Sequence, residues 1–205
     1  MIPVKICGIT NLNDALNCIR YGAAALGFIF APSKRQVTPE TVARITRELS
    51  PFVTKIGVFV DEDPYVIKQL MKDCRLDLAQ LHGSESPDVA EQLEGRVIKA
   101  FRAGLDQPDL IWKDSPVRAI LIDTYSPDTA GGTGKTFDWR IFETFRTLKL
   151  PQILAGGLNE SNIEAAIKTA RPDLIDVSSG VEYSPGLKDE QKVASFMEKV
   201  KNIGA

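Results

Sequence analysis

Residues able to move protons or hold anions stand at a few points along the chain, most of them just after a short apolar run. Cys7 closes Lys5-Ile6-Cys7-Gly8; a thiolate there could take a proton from carbon, and the glycine would let a ligand approach the backbone. A small buried core cysteine would suit the same surroundings. Asp123 follows Ala119-Ile120-Leu121-Ile122, and a carboxyl group in a desolvated setting can hold a proton and act as a general acid. Its plainer alternative is a cap for the next loop. The only histidine, His82, lies in Gln80-Leu81-His82-Gly83. Alone it cannot build a metal site, so a hydrogen bond to a substrate competes evenly with a structural role for it, and Gln80 is a further candidate for substrate binding. Arg35, in Pro32-Ser33-Lys34-Arg35, has the fork of donors that matches a carboxylate, although a solvated loop accommodates such a pair equally well. Gly156-Gly157 and Ser178-Ser179-Gly180 offer small residues whose bare N–H groups and hydroxyls suit a phosphate monoester.

The stretch Thr129-Ala130-Gly131-Gly132-Thr133-Gly134-Lys135-Thr136 comes close to a nucleotide P-loop, with Thr129 where the first glycine belongs. Pro127 intervenes after the preceding apolar run, and the next helix begins near 138–140 rather than at the Lys-Thr pair. Phosphate needs the helix N-terminus at that pair, so the stretch reads instead as a flexible lid beside the site.

These residues need elements to position them. Short β-branched runs predict strands over 3–7, 25–30, 54–60, 76–81, 97–101, 119–123, 152–155 and 174–177. Apolar residues at spacings of three and four predict helices over 12–20, 39–49, 64–74, 87–93, 139–148, 160–169 and 190–200. Asn11, Thr38-Pro39 and Asn159 supply start signals. Only the segment 108–112, after the fifth strand, is too short and Pro-interrupted to read as a helix. Strands alternating with helices imply a parallel sheet, and eight such units most simply close into a (β/α)8 barrel, with an open doubly wound sheet as the alternative. Catalytic groups then belong at the C-terminal ends of the strands, with phosphate held after strands seven and eight.

Length and composition agree. A chain of 205 residues without a Pro/Gly-rich linker reads as one domain over 1–205. With 25 basic against 27 acidic residues and no like-charge block, nucleic acid and anionic membranes are unsuitable partners, and a small molecule is the expected one. The longest apolar run, 23–31, is far short of the roughly 18 residues that span a bilayer, and no secretion signal is readable, so the expected location is the cytoplasm. Cys7, Cys18 and Cys74 include no C-x-x-C pair, which argues against a disulfide framework and a zinc cluster. A homodimer is left open, because an apolar helix face serves barrel packing and subunit contact alike.

Lys5-Ile6-Cys7-Gly8-Ile9-Thr10, Gln80-Leu81-His82-Gly83, Asp123-Thr124 with Gly131-Gly132-Thr133-Gly134 and Phe137-Asp138-Trp139, Ala155-Gly156-Gly157-Leu158 and Asp176-Val177-Ser178-Ser179-Gly180-Val181-Glu182 together resemble the phosphoribosylanthranilate isomerases of tryptophan biosynthesis. The resemblance runs in order along the whole chain. It implies a TIM barrel, a phosphosugar substrate, no cofactor and no metal, and an Amadori rearrangement of N-(5-phosphoribosyl)anthranilate to 1-(o-carboxyphenylamino)-1-deoxyribulose 5-phosphate. It also implies Cys7 as general base, Asp123 as general acid, Arg35 near the anthranilate carboxylate, and the Gly156-Gly157 and Ser178 to Gly180 turns as phosphate loops. For acid and base to work near neutrality the site must favour thiolate at Cys7 and a protonated Asp123, with Lys5 and Arg35 as the candidate cations. Other phosphosugar barrels, with paired aspartates or a lysine acid, and a silent phosphate-binding barrel are the competing readings.

Overall fold

The computed structural model describes residues 2–123 and 138–203. Eight parallel strands close into a barrel in chain order: β1 (Val4–Cys7), β2 (Ala25–Ile29), β3 (Thr54–Phe59), β4 (Leu78–Leu81), β5 (Val97–Arg102), β6 (Ala119–Asp123), β7 (Gln152–Ala155) and β8 (Leu174–Val177). The ring is shut by β1 on β8, with Lys5 opposite Asp176 and Ile6 opposite Val177. Helices α1 (Leu12–Arg20), α2 (Pro39–Arg47), α3 (Pro64–Asp73), α4 (Pro87–Gln92), α5 (Phe142–Phe145), α6 (Ile163–Ala170) and α7 (Glu190–Ile203) follow the strands. No described helix is long and apolar enough to cross a membrane.

Side chains alternate across a strand, so each β-strand serves two layers. One set, including Ile6, Leu26, Ile120, Ile122 and Leu154, joins the core shared with the helices. The other set, Ala25, Ile56, Ile98, Ala100, Ala119, Leu121, Ile153 and Ala155, forms a separate small cluster. Cys7, Gln80, His82, Asp123, Asp176 and Ser178 share the parity of this second set, and so does Lys5. A single register therefore delivers all of them to one interior.

Local chemistry starts the helices. The Asn11 side chain accepts from Asp14 N, Thr38 Oγ1 accepts from Thr41 N ahead of Pro39, and Asp63 accepts from Tyr65 N and Val66 N ahead of Pro64. Two expectations need correction. Residues 139–148 form three short pieces, a 3₁₀ turn at Trp139–Ile141, α5, and a second 3₁₀ turn at Arg146–Leu148. Their buried side chains, Phe142, Phe145 and Leu148, recur every three residues, a spacing that lines up in a 3₁₀ rather than an α geometry. Asn159 does not cap α6, which starts at Ile163 after Asn162; its side chain instead accepts from Ser161 N and Ser161 Oγ. The segment 108–112 contains a 3₁₀ turn at Leu110–Trp112. Beyond β8 the chain makes a 3₁₀ turn, Ser179–Val181, and a hairpin of β9 (Glu182–Ser184) with β10 (Leu187–Lys188) that the apolar pattern does not reveal.

Candidate active site

At the C-terminal ends of the strands lies a cavity of about 370 Å³, lined by Cys7, Arg35, Gln80, His82, Asp123, Gly156, Gly157, Ser178 and Ser179, together with Asp176, Leu158, Ile29, Val58 and Ala155. Nine of the ten sequence-predicted residues thus meet at one mouth. Gly180 sits behind it: a Cβ at that position would collide with the Leu158 carbonyl oxygen, so its lack of a side chain lets the turn after β8 pack on the turn after β7. The predicted lid, 129–136, with its Gly131 to Gly134 motif, lies outside the described residues.

Cys7 ends β1 opposite Gly27 of β2. A Cβ on Gly27 would come within 2.7 Å of the thiol sulfur and 3.0 Å of Lys5 Cε, so a missing side chain on one strand is the seat of the thiol on the next. Gly27→Ala is expected to cost about 1–3 kcal/mol by overpacking. Denaturant melts should show that loss shrinking in a Cys7→Ala background, where the sulfur is gone.

The electrostatics centre on Lys5, which is 2% exposed and donates to Asp176 Oδ2 and Gln80 Oε1, both at 2.9 Å. Burial alone would pull its ammonium down, but Asp176 and Cys7 outweigh burial and hold it above the ordinary lysine value. Burial pushes the Cys7 thiol up, with Asp176 adding to the rise, and Lys5 and Lys188 only partly oppose it. The expectation that the protein's own groups favour a thiolate therefore fails: two cations are in place, one of them Lys188, unforeseen, but desolvation together with Asp176 outweighs them. Asp176 is likewise pushed up by burial against the pull of Lys5.

Arg35 does not present its whole fork to the cavity. Its Nε contacts Glu182 Oε1 and Oε2 at 2.9 and 3.1 Å, and its Nη2 contacts Oε2 at 2.7 Å. Glu182 also accepts from Lys188 Nζ at 2.8 Å. Burial would raise this carboxyl, but Arg35 and Lys188 hold it below the usual glutamate value. Lys188, 2% exposed along its side chain, donates further to the Cys7 carbonyl at 2.6 Å and to the Ser178 carbonyl at 3.3 Å. One buried ammonium thereby ties together the arginine, the end of β1 and the turn after β8. Asp176, Glu182 and Lys188 escape the sequence reading, although Asp176 and Glu182 stand within the last motif.

The turns after β7 and β8 are braced from outside. Asn159 Nδ2 and Asn162 Nδ2 donate to the Gly157 carbonyl at 3.2 and 3.0 Å, while Ser178 Oγ donates to the Cys7 carbonyl at 3.1 Å. Gly157, at φ 61°, has nothing within 4 Å of where a Cβ would point. Backbone laid open beside a cavity in this way is suited to an anion. Across the mouth, His82 Nε2 lies 3.4 Å from Asp123 Oδ2.

A thiol, a carboxyl group, an arginine and two small-residue turns around one cavity can perform acid-base chemistry on a doubly anionic molecule. Comparison with known proteins points the same way. The family model described as N-(5'phosphoribosyl)anthranilate (PRA) isomerase matches residues 4–199. The N-(5'-phosphoribosyl)anthranilate isomerase of Trichlorobacter lovleyi is 48% identical over 203 residues, 98% of either chain. The crystal structure of the Thermotoga maritima phosphoribosyl anthranilate isomerase is 42% identical with a TM-score of 0.87, over 98% of this chain and 100% of that one. A further crystal structure, of a phosphoribosyl anthranilate isomerase in complex with reduced 1-(o-carboxyphenylamino)-1-deoxyribulose 5-phosphate, is 39% identical with a TM-score of 0.85 over 98% and 100% of the chains. From strand one to the last helix, then, this chain belongs to the N-(5'-phosphoribosyl)anthranilate isomerase family.

Proposed function

We propose that the site carries out the family's isomerisation of N-(5-phosphoribosyl)anthranilate to 1-(o-carboxyphenylamino)-1-deoxyribulose 5-phosphate, with Asp123 as general acid and Cys7 as general base. The observation that carries this reading is the convergence of Cys7 and Asp123 on one cavity between the two small-residue turns and Arg35. The furanose must open by protonation of its ring oxygen, the nitrogen lone pair forming an iminium ion as the C1–O bond breaks. Asp123 supplies that proton. Cys7 then removes the proton from C2, and the electrons of the C–H bond move to neutralise the iminium, leaving an enolamine that tautomerises to the ketone. Acid and base come from β6 and β1, so neither the substrate nor the enzyme has to turn between the steps.

The shifted thiol fits this sequence. Among the protein's own groups Cys7 is held in its neutral form by burial. The cationic iminium formed beside it by ring opening favours the thiolate, so the base becomes strong when its substrate proton becomes acidic. The phosphate is held by the Gly156-Gly157 and Ser178-Ser179 turns and the anthranilate carboxylate by Arg35. A Thermotoga maritima relative is described as dimeric, and a homodimer is the corresponding proposal for this chain. The direct test is the decay of fluorescence of freshly generated phosphoribosylanthranilate on adding the purified protein. No acceleration over the spontaneous rate would refute the reading.

The carboxylate assignment has its own test. Arg35→Met is expected to raise KM with little change in kcat, because a charge remote from the reacting carbons is held about equally in ground and transition states. Glu182→Gln should act in the same direction by about tenfold or less, since it removes the anion that aims the guanidinium and leaves the other donors in place. Steady-state kinetics separate the two parameters, and a loss confined to kcat would place Arg35 at the reacting atoms instead.

A further inference from the structure

The chain of contacts from Lys5 to Asp123 contains a constraint on the only histidine. Lys5 is a pure donor, and its Nζ lies 2.9 Å from the Gln80 amide oxygen. Turning the amide over would set its NH₂ against an ammonium, so the oxygen must face Lys5. The amide nitrogen is then committed to His82, whose Nδ1 it approaches at 2.9 Å. An NH₂ group can only donate there, so Nδ1 must offer its lone pair and the ring proton belongs on Nε2. That nitrogen is the one 3.4 Å from Asp123 Oδ2, and the histidine backbone is pinned by its N–H to the Phe59 carbonyl at 2.8 Å. We propose that Lys5, acting through Gln80, fixes His82 as its Nε2–H tautomer, making Gln80 and His82 positioning residues for Asp123.

Gln80 is 1% exposed and both ends of its amide are spent in this way, which suits a strut rather than a substrate contact. The consequence for the acid is directional. The nitrogen that carries the proton is the one 3.4 Å from Oδ2, so a small closing movement would let it donate to that oxygen and leave Oδ1 to carry the proton that the acid transfers. Contacts of this kind commonly tighten when substrate arrives. The elevated ammonium of Lys5 supports the scheme, because the donor that orders the amide stays charged. The catalytic part of the inference rests on the assignment of Asp123 as acid; the tautomer does not.

The chain has one histidine, so in untagged protein with ¹⁵N-labelled histidine every imidazole signal belongs to His82. Heteronuclear correlation spectra should show Nε2 protonated and Nδ1 bare. A protonated Nδ1 would overturn the proposal. In Gln80→Glu a carboxylate faces both Lys5 and the ring, so Nδ1 should gain a proton; in Gln80→Leu the strut is gone and the signals should move toward a tautomer mixture. An unchanged ring pattern in a folded Gln80→Leu protein would also overturn it. Where the pattern does change, kcat should fall about tenfold or more with KM nearly constant, the signature of an interaction made in the transition state. A changed tautomer with unchanged kcat would reject the positioning role if Asp123→Asn is inactive. If Asp123→Asn keeps its rate, the acid assignment is what fails, and the tautomer still stands on the spectra.

Discussion

Cys7→Ser is expected to lower kcat by about 10²- to 10⁴-fold, the range that a positioned general base contributes. A serine hydroxyl fits the seat that Gly27 leaves for the sulfur, so the barrel should fold and a reduced product analogue should still bind. The hydroxyl is nevertheless far too weak a base near neutrality to take a proton from carbon. Stopped-flow fluorescence on the folded variant measures the loss, and near-wild-type turnover would remove Cys7 from the mechanism. The wild type carries a related pH signature. Burial raises the thiol, and kcat/KM reports the free enzyme while kcat reports the complex. A raised thiol is less ionised at a given pH, so the basic rise of kcat/KM should lie above the ordinary thiol range. The iminium forms only after ring opening, so it eases proton removal at that step without shifting the thiol's titration in the free enzyme.

Asp123→Asn is expected to lose a comparable factor of about 10² to 10⁴, since an amide of the same shape has no acidic proton for the ring oxygen. The residue ends β6 with its backbone paired to Arg102 and Ala155, so the substitution leaves the ladder intact. Product-analogue binding should survive while ring opening fails. A folded Asp123→Asn protein with wild-type kcat would return the ring-opening step to another donor.

The barrel is legible because a buried parallel strand writes itself as a compact β-branched run: β6, β7 and β8 begin and end where the runs 119–123, 152–155 and 174–177 do. Position at a strand end then marks Cys7, His82 and Asp123, and the paired small-residue turns mark the side of the cavity proposed to hold phosphate. What is not legible depends on distant partners. Lys188 looks like any exposed lysine of a loop until the β9–β10 hairpin folds it back onto the Cys7 carbonyl, 181 residues away in sequence. Arg35 can be seen as a carboxylate ligand but not as a group shared with Glu182, because nothing local to either residue sets their meeting. The sign of the Cys7 shift escapes for a similar reason: nearby cations can be read from sequence, whereas the degree of desolvation emerges only from the closed interior. In 139–148, a spacing of three passes for an α-helix because threes and fours alternate in that pattern too.

The closure of β1 on β8 also bears on how the chain acquires its activity. Lys5 meets Asp176 across 171 residues of sequence, Ser178 meets the Cys7 carbonyl across 171, and Lys188 reaches the same carbonyl across 181. Contacts of such separation carry a large loop-closure cost and form late. During synthesis β1, with a cysteine and a lysine at its end, must wait until β8 has emerged before it finds that neighbour. The contacts that close the barrel are thus the same ones that complete the proposed site, and a barrel with an open seam would lack both.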